Sequence, residues 1–229
     1  MAIEPQVGSK NILIFGGTGS LGYALVERWL PFSSKIYIVS RDENKQWKMK
    51  LDFNQAPNLF FIVGDTISEN VVNTAVRRAC ADIIIIASAM KHIDQCEINT
   101  LQSINNNLLG TQNILKCIEN IKPNNLKSVV FISSDKATSP VNNYGMCKAL
   151  SETLIIENSF YFPEIKFCNV RYGNVLNSRG SIIPLLHLVG QDPLKLFFNL
   201  TDPRMTRFVM TLSDSVDLIE HALEYGVSG

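Results

Sequence analysis

Two residues one helical turn apart, Tyr144 and Lys148, have types and a spacing that could carry out chemistry. Side chains at positions i and i+4 lie on the same face of a helix. Tyrosine is a poor base at its ordinary pKa of about 10. Because a nearby ammonium group favours the phenolate, the spacing predicts a tyrosine that takes a proton from a substrate hydroxyl.

Four polar residues stand shortly before this pair, directly after a short apolar run. Val129–Ile132 has the pattern of a buried strand, and Ser133, Ser134, Asp135 and Lys136 follow it. Open α/β sheets bind their ligands at the carboxyl ends of their strands. The order of residues therefore places four reactive side chains at a predicted ligand site, where a serine hydroxyl can share the reacting proton with the tyrosine.

The start of the chain carries the signal of a dinucleotide site. The predicted buried strand Asn11–Phe15 is followed by glycines at positions 16, 19 and 22 and then by an amphipathic helix. Glycines at this spacing allow a tight turn, close approach of the backbone to a pyrophosphate, and close packing of helix on strand. The cofactor-binding residues predicted in this loop are Gly16, Thr18, Gly19, Ser20, Leu21 and Gly22.

The end of the second predicted strand, Lys35–Val39, should lie beside the adenosine ribose of the cofactor. Ser40, Arg41 and Asp42 follow this strand, and Lys45 comes soon after. An acid here hydrogen-bonds the ribose 2′-hydroxyl of NAD, whereas an arginine accommodates the 2′-phosphate of NADP. Because the arginine comes first, we expect NADP. In the alternative, Arg41 and Lys45 are only solvent-exposed residues of a loop, and Asp42 binds the ribose of NAD.

The third and fourth predicted strands end in further candidates. Leu59–Val63 is followed by Asp65, which caps the next predicted helix (71–80), binds the adenine amino group, or does both. The aliphatic run Asp82–Ala87 predicts a fully buried strand, whose end lies beneath the expected nicotinamide ribose. The cofactor-binding residues predicted at these two strand ends are Asp65, Thr66, Ala87, Ser88, Ala89 and Lys91.

Two further polar positions, His92 and the asparagines at 105–107, require an interpretation. His92 stands at a predicted helix start, where a lone histidine more often packs or forms hydrogen bonds than acts as a base, and we interpret it in that way. Ile98–Ile118 is predicted to be one long helix. The asparagines at 105–107 are costly in the middle of a helix unless the side chain of one of them has a structural or functional role. We expect Asn107 to have that role.

Strands alternate with helices along most of the chain, which predicts a doubly wound parallel sheet of the α/β class. After the predicted strand Ile165–Val170, the pattern changes to short pieces broken by proline and glycine. We therefore predict a nucleotide-binding domain over residues 1–172 and a small substrate-binding lobe over residues 173–229. A final helix is predicted at Ser213–Tyr225.

Composition narrows the class of protein. The chain has 229 residues, 46% of them apolar and 18% charged, with zero net charge and a pI near 6.8. These values are normal for a globular protein and argue against nucleic acid or an anionic membrane as partners. No apolar run is long enough to span a bilayer, the N-terminus lacks the pattern of a signal peptide, and the five cysteines lack close pairs. We expect a cytoplasmic protein with reduced, mostly buried thiols and no metal site.

Several motifs together resemble those of the extended short-chain dehydrogenase/reductases, which have a Rossmann fold. More narrowly, the chain is similar to the inverting UDP-N-acetylglucosamine 4,6-dehydratases of polysaccharide biosynthesis. The most specific similarity is Asp135-Lys136, because dTDP-glucose 4,6-dehydratases have Asp-Glu at this place and sugar epimerases lack the acid–base pair. The shared motifs run from Gly16 to Phe208 and include Gly-Gly-Thr-Gly-Ser, Ser-Arg-Asp-Glu, Lys-His, Asp-Lys-Ala, Tyr-Gly-x-x-Lys, Arg-Tyr-Gly-Asn-Val, Ser-Arg-Gly-Ser and Arg-Met-Thr-Arg-Phe.

The resemblance implies a mechanism on a UDP-sugar. Tyr144, with Lys148 favouring its phenolate and Ser134 orienting the substrate, takes the hydroxyl proton at carbon 4 as hydride leaves for NADP. Lys136 then removes the carbon-5 proton, and Asp135, kept protonated, protonates the departing carbon-6 hydroxyl. The hydride returns to carbon 6 and leaves a UDP-4-keto-6-deoxy sugar, with carbon 5 either inverted or retained.

The resemblance also implies which residues bind the two ligands. Tyr144 and Lys148 contact the cofactor as well as carrying out chemistry. Three arginines supply permanent cations suited to a diphosphate, although we expect at least one of them to be a surface residue. The residues implied to bind substrate are Lys91, Asn174, Arg179, Arg204 and Arg207.

Family members continue past the position that matches Gly229, so the resemblance predicts a substrate lobe that is only partly present in this chain. It also implies at least a homodimer, paired through the helices that carry Tyr144 and the asparagine-rich segment. Two other functions stay open. A carbon-4 epimerase of the same superfamily gives no 6-deoxy product and does not need Asp135 or Lys136. A non-catalytic NADP-binding regulator keeps the fold without the chemistry.

Overall fold

The structure is a computed structural model, and it describes residues 7–178, 180–192, 197 and 202–228. Six parallel strands form one sheet in the order β3-β2-β1-β4-β5-β6. The predicted doubly wound α/β sheet is confirmed, and the ends of every predicted strand lie within one residue of those in the structure. The strands are β1 (Asn11–Phe15), β2 (Lys35–Ser40), β3 (Leu59–Val63), β4 (Ile83–Ile86), β5 (Ser128–Ile132) and β6 (Lys166–Val170).

Helices cover both faces of this sheet. Parallel neighbours cannot be joined by a tight turn, so the chain crosses over between them, and the crossover helices bury the sheet. Up to β6, these helices are α1 (Ser20–Trp29), α2 (Glu43–Asp52), α3 (Glu69–Ala79), α4 (Ile93–Ile98), α5 (Thr100–Ile104), α6 (Gly110–Ile121) and α7 (Asn143–Tyr161). After β6 come α8 (Ile182–Gly190) and α9 (Leu212–Tyr225).

Two apolar clusters form the core, because successive side chains of a strand point to opposite faces of the sheet. Leu13 and Phe15 of β1 belong to a cluster with residues of α3, α6 and α7. Ile12 and Ile14 of the same strand belong to a second cluster with residues of α1, α2 and α9. Each fully buried side chain of this size contributes about 1.5–3 kcal/mol to folding, so the sheet is a rigid base for the loops at its edge.

The order of the strands fixes where a ligand can bind. β1 pairs with β2 on one side and with β4 on the other, so the chain reverses its direction of winding next to β1. In open α/β sheets a crevice opens at such a reversal, outside the carboxyl ends of the strands. The loops that follow β1, β2, β4 and β5 all begin at this edge, and they carry most of the predicted site residues.

The segment predicted as one helix, Ile98–Ile118, is interrupted, so this prediction is wrong in detail. α4 and α5 are separated at Asn99, and a π-helical turn, Asn105–Leu109, joins α5 to α6. Ser151 of α7 donates a hydrogen bond to the carbonyl oxygen of Asn107 at 2.9 Å. The turn is thereby tied to the neighbouring helix, and π-helical turns of this kind often occur at functional sites.

After β6 the chain forms a small second sheet and then returns to the main one. β7 (Asn174–Val175) and β8 (Val209–Met210) pair in parallel. α9 packs beside α1, where the Nη1 of Arg28 lies 2.8 Å from the carboxylate of Asp217. The division of the chain after residue 172 stays a prediction.

No helix within the described ranges is long and apolar enough to cross a membrane. All five cysteines are free thiols, and four of them are buried, whereas Cys80 is exposed. The prediction of unpaired, mostly buried thiols is confirmed.

Two neighbouring helices, α5 and α7, expose apolar side chains, with Leu101 72% and Leu150 54% exposed. Contact with a second copy would remove this apolar surface from water. We expect a dimer by light scattering, and we expect Leu150→Glu to produce monomers because a buried, unpaired charge is costly. Leu51→Glu on α2, where the leucine is 48% exposed, is the matched control and should leave the mass unchanged. A monomeric wild type, or a dimer that tolerates Leu150→Glu, would contradict this prediction.

Candidate functional site

A cleft of about 1070 Å³ opens at the carboxyl edge of the sheet. This volume is slightly above the usual range for ligand pockets, about 300–1,000 Å³. Its walls are the loop after β1, the ends of β2 to β5, the start of α7 and the small second sheet. The predicted site residues that line it are Gly16, Thr18, Gly19, Ser20, Leu21, Gly22, Ser40, Arg41, Asp42, Lys45, Asp65, Thr66, Ala87, Ser88, Ala89, Lys91, Ser134, Lys136, Tyr144, Lys148, Asn174 and Arg207.

Gly16 brings the end of β1 close to the end of β4. Its φ of +83° lies in the left-handed region that favours glycine, and a Cβ there would lie 2.6 Å from the Cα of Ser88. α1 begins one turn later with Gly19 at its N-cap, so no side chain at that position competes for the amides of the first turn. Such amides and the helix dipole bind phosphate groups. This part of the cleft fits the pyrophosphate of a dinucleotide.

Arg41 and Asp42 at the end of β2 have different partners. The Nη1 of Arg41 donates to the Oδ1 of Asn106 at 3.0 Å and lies 3.4 Å from the Oδ2 of Asp65. Asp42 instead caps α2, since its Oδ1 accepts from the backbone N–H of Lys45 at 3.0 Å and its Oδ2 lies 2.7 Å from the Lys45 Nζ. These hydrogen bonds from Lys45 lower the pKa of Asp42. Asp42 is therefore engaged as the N-cap of α2, whereas Arg41 is held along the cleft.

Asp65 does not cap α3, because the N-cap of that helix is Ser68. The Oδ1 of Asp65 accepts from the backbone N–H of Ile67 at 3.1 Å. The helix-capping alternative is wrong. Since both Asp65 and the buried Thr66 line the cleft, a contact with the adenine end of a cofactor stays a prediction.

Asn107 fixes the loop that follows β4. Its Oδ1 accepts from the backbone N–H of Met90 at 2.7 Å, and its Nδ2 donates to the Met90 carbonyl oxygen at 3.0 Å. The prediction that the side chain of Asn107 has a role is confirmed, although the side chain of Asn106 forms hydrogen bonds as well. His92, two residues beyond Met90, is the N-cap residue of α4 and is exposed at the cleft.

Tyr144 lies in the first turn of α7, beside Ser134. The helix is capped by Asn142, whose Oδ1 accepts from the backbone N–H of Gly145 at 2.8 Å. Burial raises the pKa of Tyr144 to about 12, and its hydrogen bond with Ser134 opposes this shift only in part. Burial thus favours the neutral phenol here, and the phenolate that the chemistry requires stays a prediction.

Lys148 is almost fully buried, with 2% of its surface exposed. Its Nζ donates to the carbonyl oxygen of Ile132 at 2.7 Å and lies 4.4 Å from the centre of the Phe131 ring. Burial lowers the pKa of Lys148 to about 8, against the attraction of Glu152. The amine is still mostly protonated at neutral pH, and its hydrogen bond attaches α7 to the end of β5.

Glu152, one turn after Lys148, was not expected from the sequence. This buried carboxylate accepts hydrogen bonds from the Oγ of Ser133 and from Arg171, whose Nε is 2.8 Å and Nη2 2.5 Å away. The i, i+4 spacing from Lys148 was the available signal. A glutamate on a helix is usually exposed, however, and only the fold brings residues after β5 and β6 to it.

Lys136 connects the end of β5 to the small second sheet. Its Nζ donates to the Oδ1 of Asp135 at 3.0 Å and to the Oδ1 of Asn174 at 3.1 Å. Ser134 also donates to that Asp135 oxygen, at 2.8 Å. Burial acts to raise the pKa of Asp135, but the bonds from Lys136 and Ser134 outweigh it and lower the pKa overall. A lowered pKa opposes the expected protonated Asp135, which stays a prediction, and Asn174, predicted to bind substrate, accepts a hydrogen bond from the lysine.

Gly145 explains how the two groups of reactive residues come together. A Cβ at this position would lie 2.4 Å from the carbonyl oxygen of Lys136. α7 can therefore approach the 3₁₀ turn Asp135–Ala137 only because this residue has no side chain. As a result, Tyr144 and Lys136 line the same cleft.

The three arginines predicted to bind a diphosphate differ in position. Arg207 lies along the cleft. Arg204 is exposed and donates two hydrogen bonds to Asp202, at 3.0 and 2.7 Å, so it has the character of a surface residue. Arg179 lies outside the described residues.

The family described as polysaccharide biosynthesis protein matches residues 12–229. The chain belongs to this family. A UDP-glucose 4-epimerase of Rickettsia bellii is 40% identical to it over 227 residues, which are 96% of this chain and 64% of the relative. The chain thus spans 64% of the length of the curated relatives it matches. The resemblance to enzymes of polysaccharide biosynthesis is confirmed at the level of the family, whereas the 4,6-dehydratase subtype stays a prediction.

Solved structures share the fold of this polysaccharide biosynthesis protein. Pen from Bacillus thuringiensis is 34% identical with a TM-score of 0.88, over 95% of this chain and 66% of Pen. WbmG from Bordetella bronchiseptica, solved in complex with NAD and UDP, is 19% identical with a TM-score of 0.76, over 99% of this chain and 73% of WbmG. At 19% identity, the second likeness shows the fold alone.

The buried Lys148 predicts a specific dependence of stability on pH. Its pKa is about 8 in the folded protein against an ordinary 10.5, so between these values the unfolded chain binds more protons. The free energy of unfolding should therefore rise with pH in this window, relative to Lys148→Met, by at most about 1.4 kcal/mol per pH unit. Urea denaturation of both proteins between pH 7 and about pH 10 measures this difference. Parallel curves for the two proteins would mean that Lys148 titrates normally.

Proposed function

We propose that this protein is a nicotinamide-dependent enzyme that modifies a UDP-sugar, and specifically a UDP-N-acetylglucosamine 4,6-dehydratase. The observation that carries the proposal is the second acid–base pair, in which the Lys136 Nζ is held between Asp135 and Asn174 in the cleft that Tyr144 also lines. Oxidation at carbon 4 alone requires only a tyrosine and an orienting serine. Removal of water across carbons 5 and 6 requires a further base and acid.

The first proton transfer belongs to Tyr144 and its neighbours. When bound, the nicotinamide would supply the acceptor for hydride from carbon 4 and its donor to carbon 6. Tyr144 takes the proton of the carbon-4 hydroxyl, which Ser134 orients. Because burial raises the pKa of Tyr144 to about 12, its phenolate needs a nearby cation, and Lys148 one helical turn away supplies that charge.

In the second stage, the removal of water across carbons 5 and 6, Asp135 and Lys136 transfer the protons. Transfer of a proton from the Lys136 Nζ to the Asp135 Oδ1, along their 3.0 Å hydrogen bond, gives a neutral amine and a carboxylic acid. Lys136 then takes the carbon-5 proton, and Asp135 protonates the carbon-6 hydroxyl, which leaves as water. When carbon 6 is reduced, the Lys136 ammonium returns a proton to carbon 5. The proton that Tyr144 took from the carbon-4 hydroxyl replaces the one that Asp135 gave to the leaving water, so the three residues together neither gain nor lose a proton.

The cofactor proposed is NADP, with NAD as the alternative. Arg41 is a cation at the end of β2, and Asp42 is engaged by Lys45 at both of its oxygens, which makes it a poorer partner for the ribose of NAD. The 2′-phosphate of NADP suits a guanidinium group. The complex of WbmG with NAD concerns a protein only 19% identical, so it carries little weight against this choice.

A carbon-4 epimerase is the second candidate, because relatives that are 39–40% identical are named UDP-glucose 4-epimerase. Proton NMR of the products from UDP-N-acetylglucosamine and UDP-glucose separates the possibilities. A 4-keto-6-deoxy product supports the dehydratase, and its carbon-5 configuration reports inversion or retention. A product that differs only at carbon 4 supports the epimerase. No product from either substrate supports the non-catalytic regulator.

Replacing Lys136 with Met tests the proposed second stage. Carbon 4 can still be oxidised in this variant, but the elimination stalls without its base, so we expect reduced cofactor to accumulate when substrate is mixed with the NADP-loaded protein. The overall rate should fall by about 10²–10⁴-fold, the usual contribution of general acid–base catalysis. Stopped-flow absorbance of the reduced nicotinamide measures the accumulation.

Tyr144→Phe is the matched control for this experiment, since it lacks the phenol needed for the first stage and should accumulate no reduced cofactor while still binding NADP. A Lys136→Met protein that turns over normally would remove the lysine from the mechanism. His92, exposed at the same cleft, would then be the next residue to test as the carbon-5 base.

Replacing Arg41 with Ala tests the choice of cofactor. Loss of a hydrogen-bonded charge should weaken NADP binding by about 1.5–3 kcal/mol and leave NAD binding nearly unchanged. Isothermal titration with each cofactor measures both values, and Lys45→Ala is a control for the general loss of one positive charge at this edge. Equal weakening of NADP and NAD by Arg41→Ala would mean that the arginine does not recognise the 2′-phosphate.

A further inference from the structure

The π-helical turn Asn105–Leu109 directs a second asparagine, Asn106, to the adenosine end of the cleft. The side chain is 6% exposed, which is unusual for a polar residue on a helix. No role for Asn106 was predicted from the sequence, and neither stage of the proposed reaction uses it.

The orientation of the Asn106 amide is fixed by its own helix. Its Nδ2 donates to the carbonyl oxygen of Gln102 at 2.8 Å. The Oδ1 must therefore point away from that carbonyl, and it accepts from the Nη1 of Arg41 at 3.0 Å. The guanidinium group is thus held by an acceptor that cannot rotate without losing its other bond.

The second contact of Arg41 is with Asp65, and it differs in both distance and charge. It spans 3.4 Å, longer than an ordinary N–H···O hydrogen bond, and the other carboxylate oxygen of Asp65 accepts from the backbone of Ile67. A carboxylate also offsets part of the positive charge of its partner, whereas an amide oxygen does not. Asn106 therefore holds the arginine more closely than Asp65 does, and without adding a negative charge.

Both contacts use the Nη1 of Arg41, whereas a guanidinium group carries five N–H donors on three nitrogens. The Nη2 and Nε groups are not engaged by Asn106 or Asp65. A phosphate group can be bound by these donors while the first nitrogen remains anchored. Holding a long, flexible side chain in advance reduces the conformational entropy that is lost when a ligand binds.

We propose that Asn106 is a positioning residue that orients Arg41 for the 2′-phosphate of NADP and so contributes to the discrimination between NADP and NAD. This inference rests on the proposed cofactor. It assigns part of the discrimination to a residue of the π-helical turn between α5 and α6, far along the chain from the end of β2, where the sequence signal for cofactor choice is found.

A double-mutant cycle with short nucleotides tests this inference without any catalytic turnover. The wild-type protein, Asn106→Leu, Arg41→Ala and the double variant are titrated calorimetrically with 2′,5′-ADP and with 5′-AMP. Leucine is close to asparagine in size, so the turn keeps its volume, and Asn106→Ala is the second variant if Asn106→Leu does not fold. Circular dichroism confirms that each variant is folded.

We expect Asn106→Leu to weaken 2′,5′-ADP binding by about 3- to 10-fold and 5′-AMP binding by less than about 2-fold, as for loss of one hydrogen bond. In the double variant the loss should be no greater than for Arg41→Ala alone, because Asn106 acts through the arginine. Equal losses for the two nucleotides, or losses that add, would overturn the inference and make Asn106 a structural residue.

The wild-type titration separates this inference from the choice of cofactor. If the wild type does not prefer 2′,5′-ADP over 5′-AMP, the proposal of NADP is wrong, and the proposed positioning role of Asn106 is overturned as well. If the wild type prefers 2′,5′-ADP and Asn106→Leu keeps that preference, the cofactor proposal stands and only the role of Asn106 is overturned.

Discussion

The hydrogen bond from the buried amine of Lys148 to the carbonyl oxygen of Ile132 is the contact on which the geometry of the site depends. It attaches α7, which carries Tyr144, to the end of β5, which carries Ser134. A buried charge without partners costs several kcal/mol, so this arrangement requires compensation. The carbonyl oxygen, the face of Phe131 and the carboxylate of Glu152 provide it.

Glu152 extends this compensation towards the surface. Its two oxygens accept from Ser133 and Arg171, so the carboxylate that favours the lysine ammonium is itself fully hydrogen-bonded. Low dielectric strengthens such a network when every member is satisfied and makes it costly when one is not. We therefore expect a change at Arg171, which does not line the cleft, to alter the electrostatic environment of the Lys148 amine through Glu152.

The sheet and the location of the site could be predicted because they follow from local patterns. Mostly apolar segments predicted the strands, and the polar residues after those segments predicted the cleft. Protonation states could not be predicted in this way, since they depend on distances between distant residues. Burial raises the pKa of Tyr144, hydrogen bonds lower the pKa of Asp135, and both effects depend on the folded geometry. The partners Glu152 and Asn106 were missed for the same reason.

The asparagine run shows how one local irregularity can serve two distant parts of a site. In a regular α-helix, consecutive side chains diverge by about 100°, and each is fixed by the period of 3.6 residues per turn. Within the π-helical turn, the carbonyl oxygen of Asn107 accepts a hydrogen bond from Ser151 of α7. Asn107 thereby holds the loop after β4, while Asn106 reaches Arg41 after β2. Two adjacent asparagines of this interrupted segment thus hold both ends of the cleft, one through the loop after β4 and the other through Arg41.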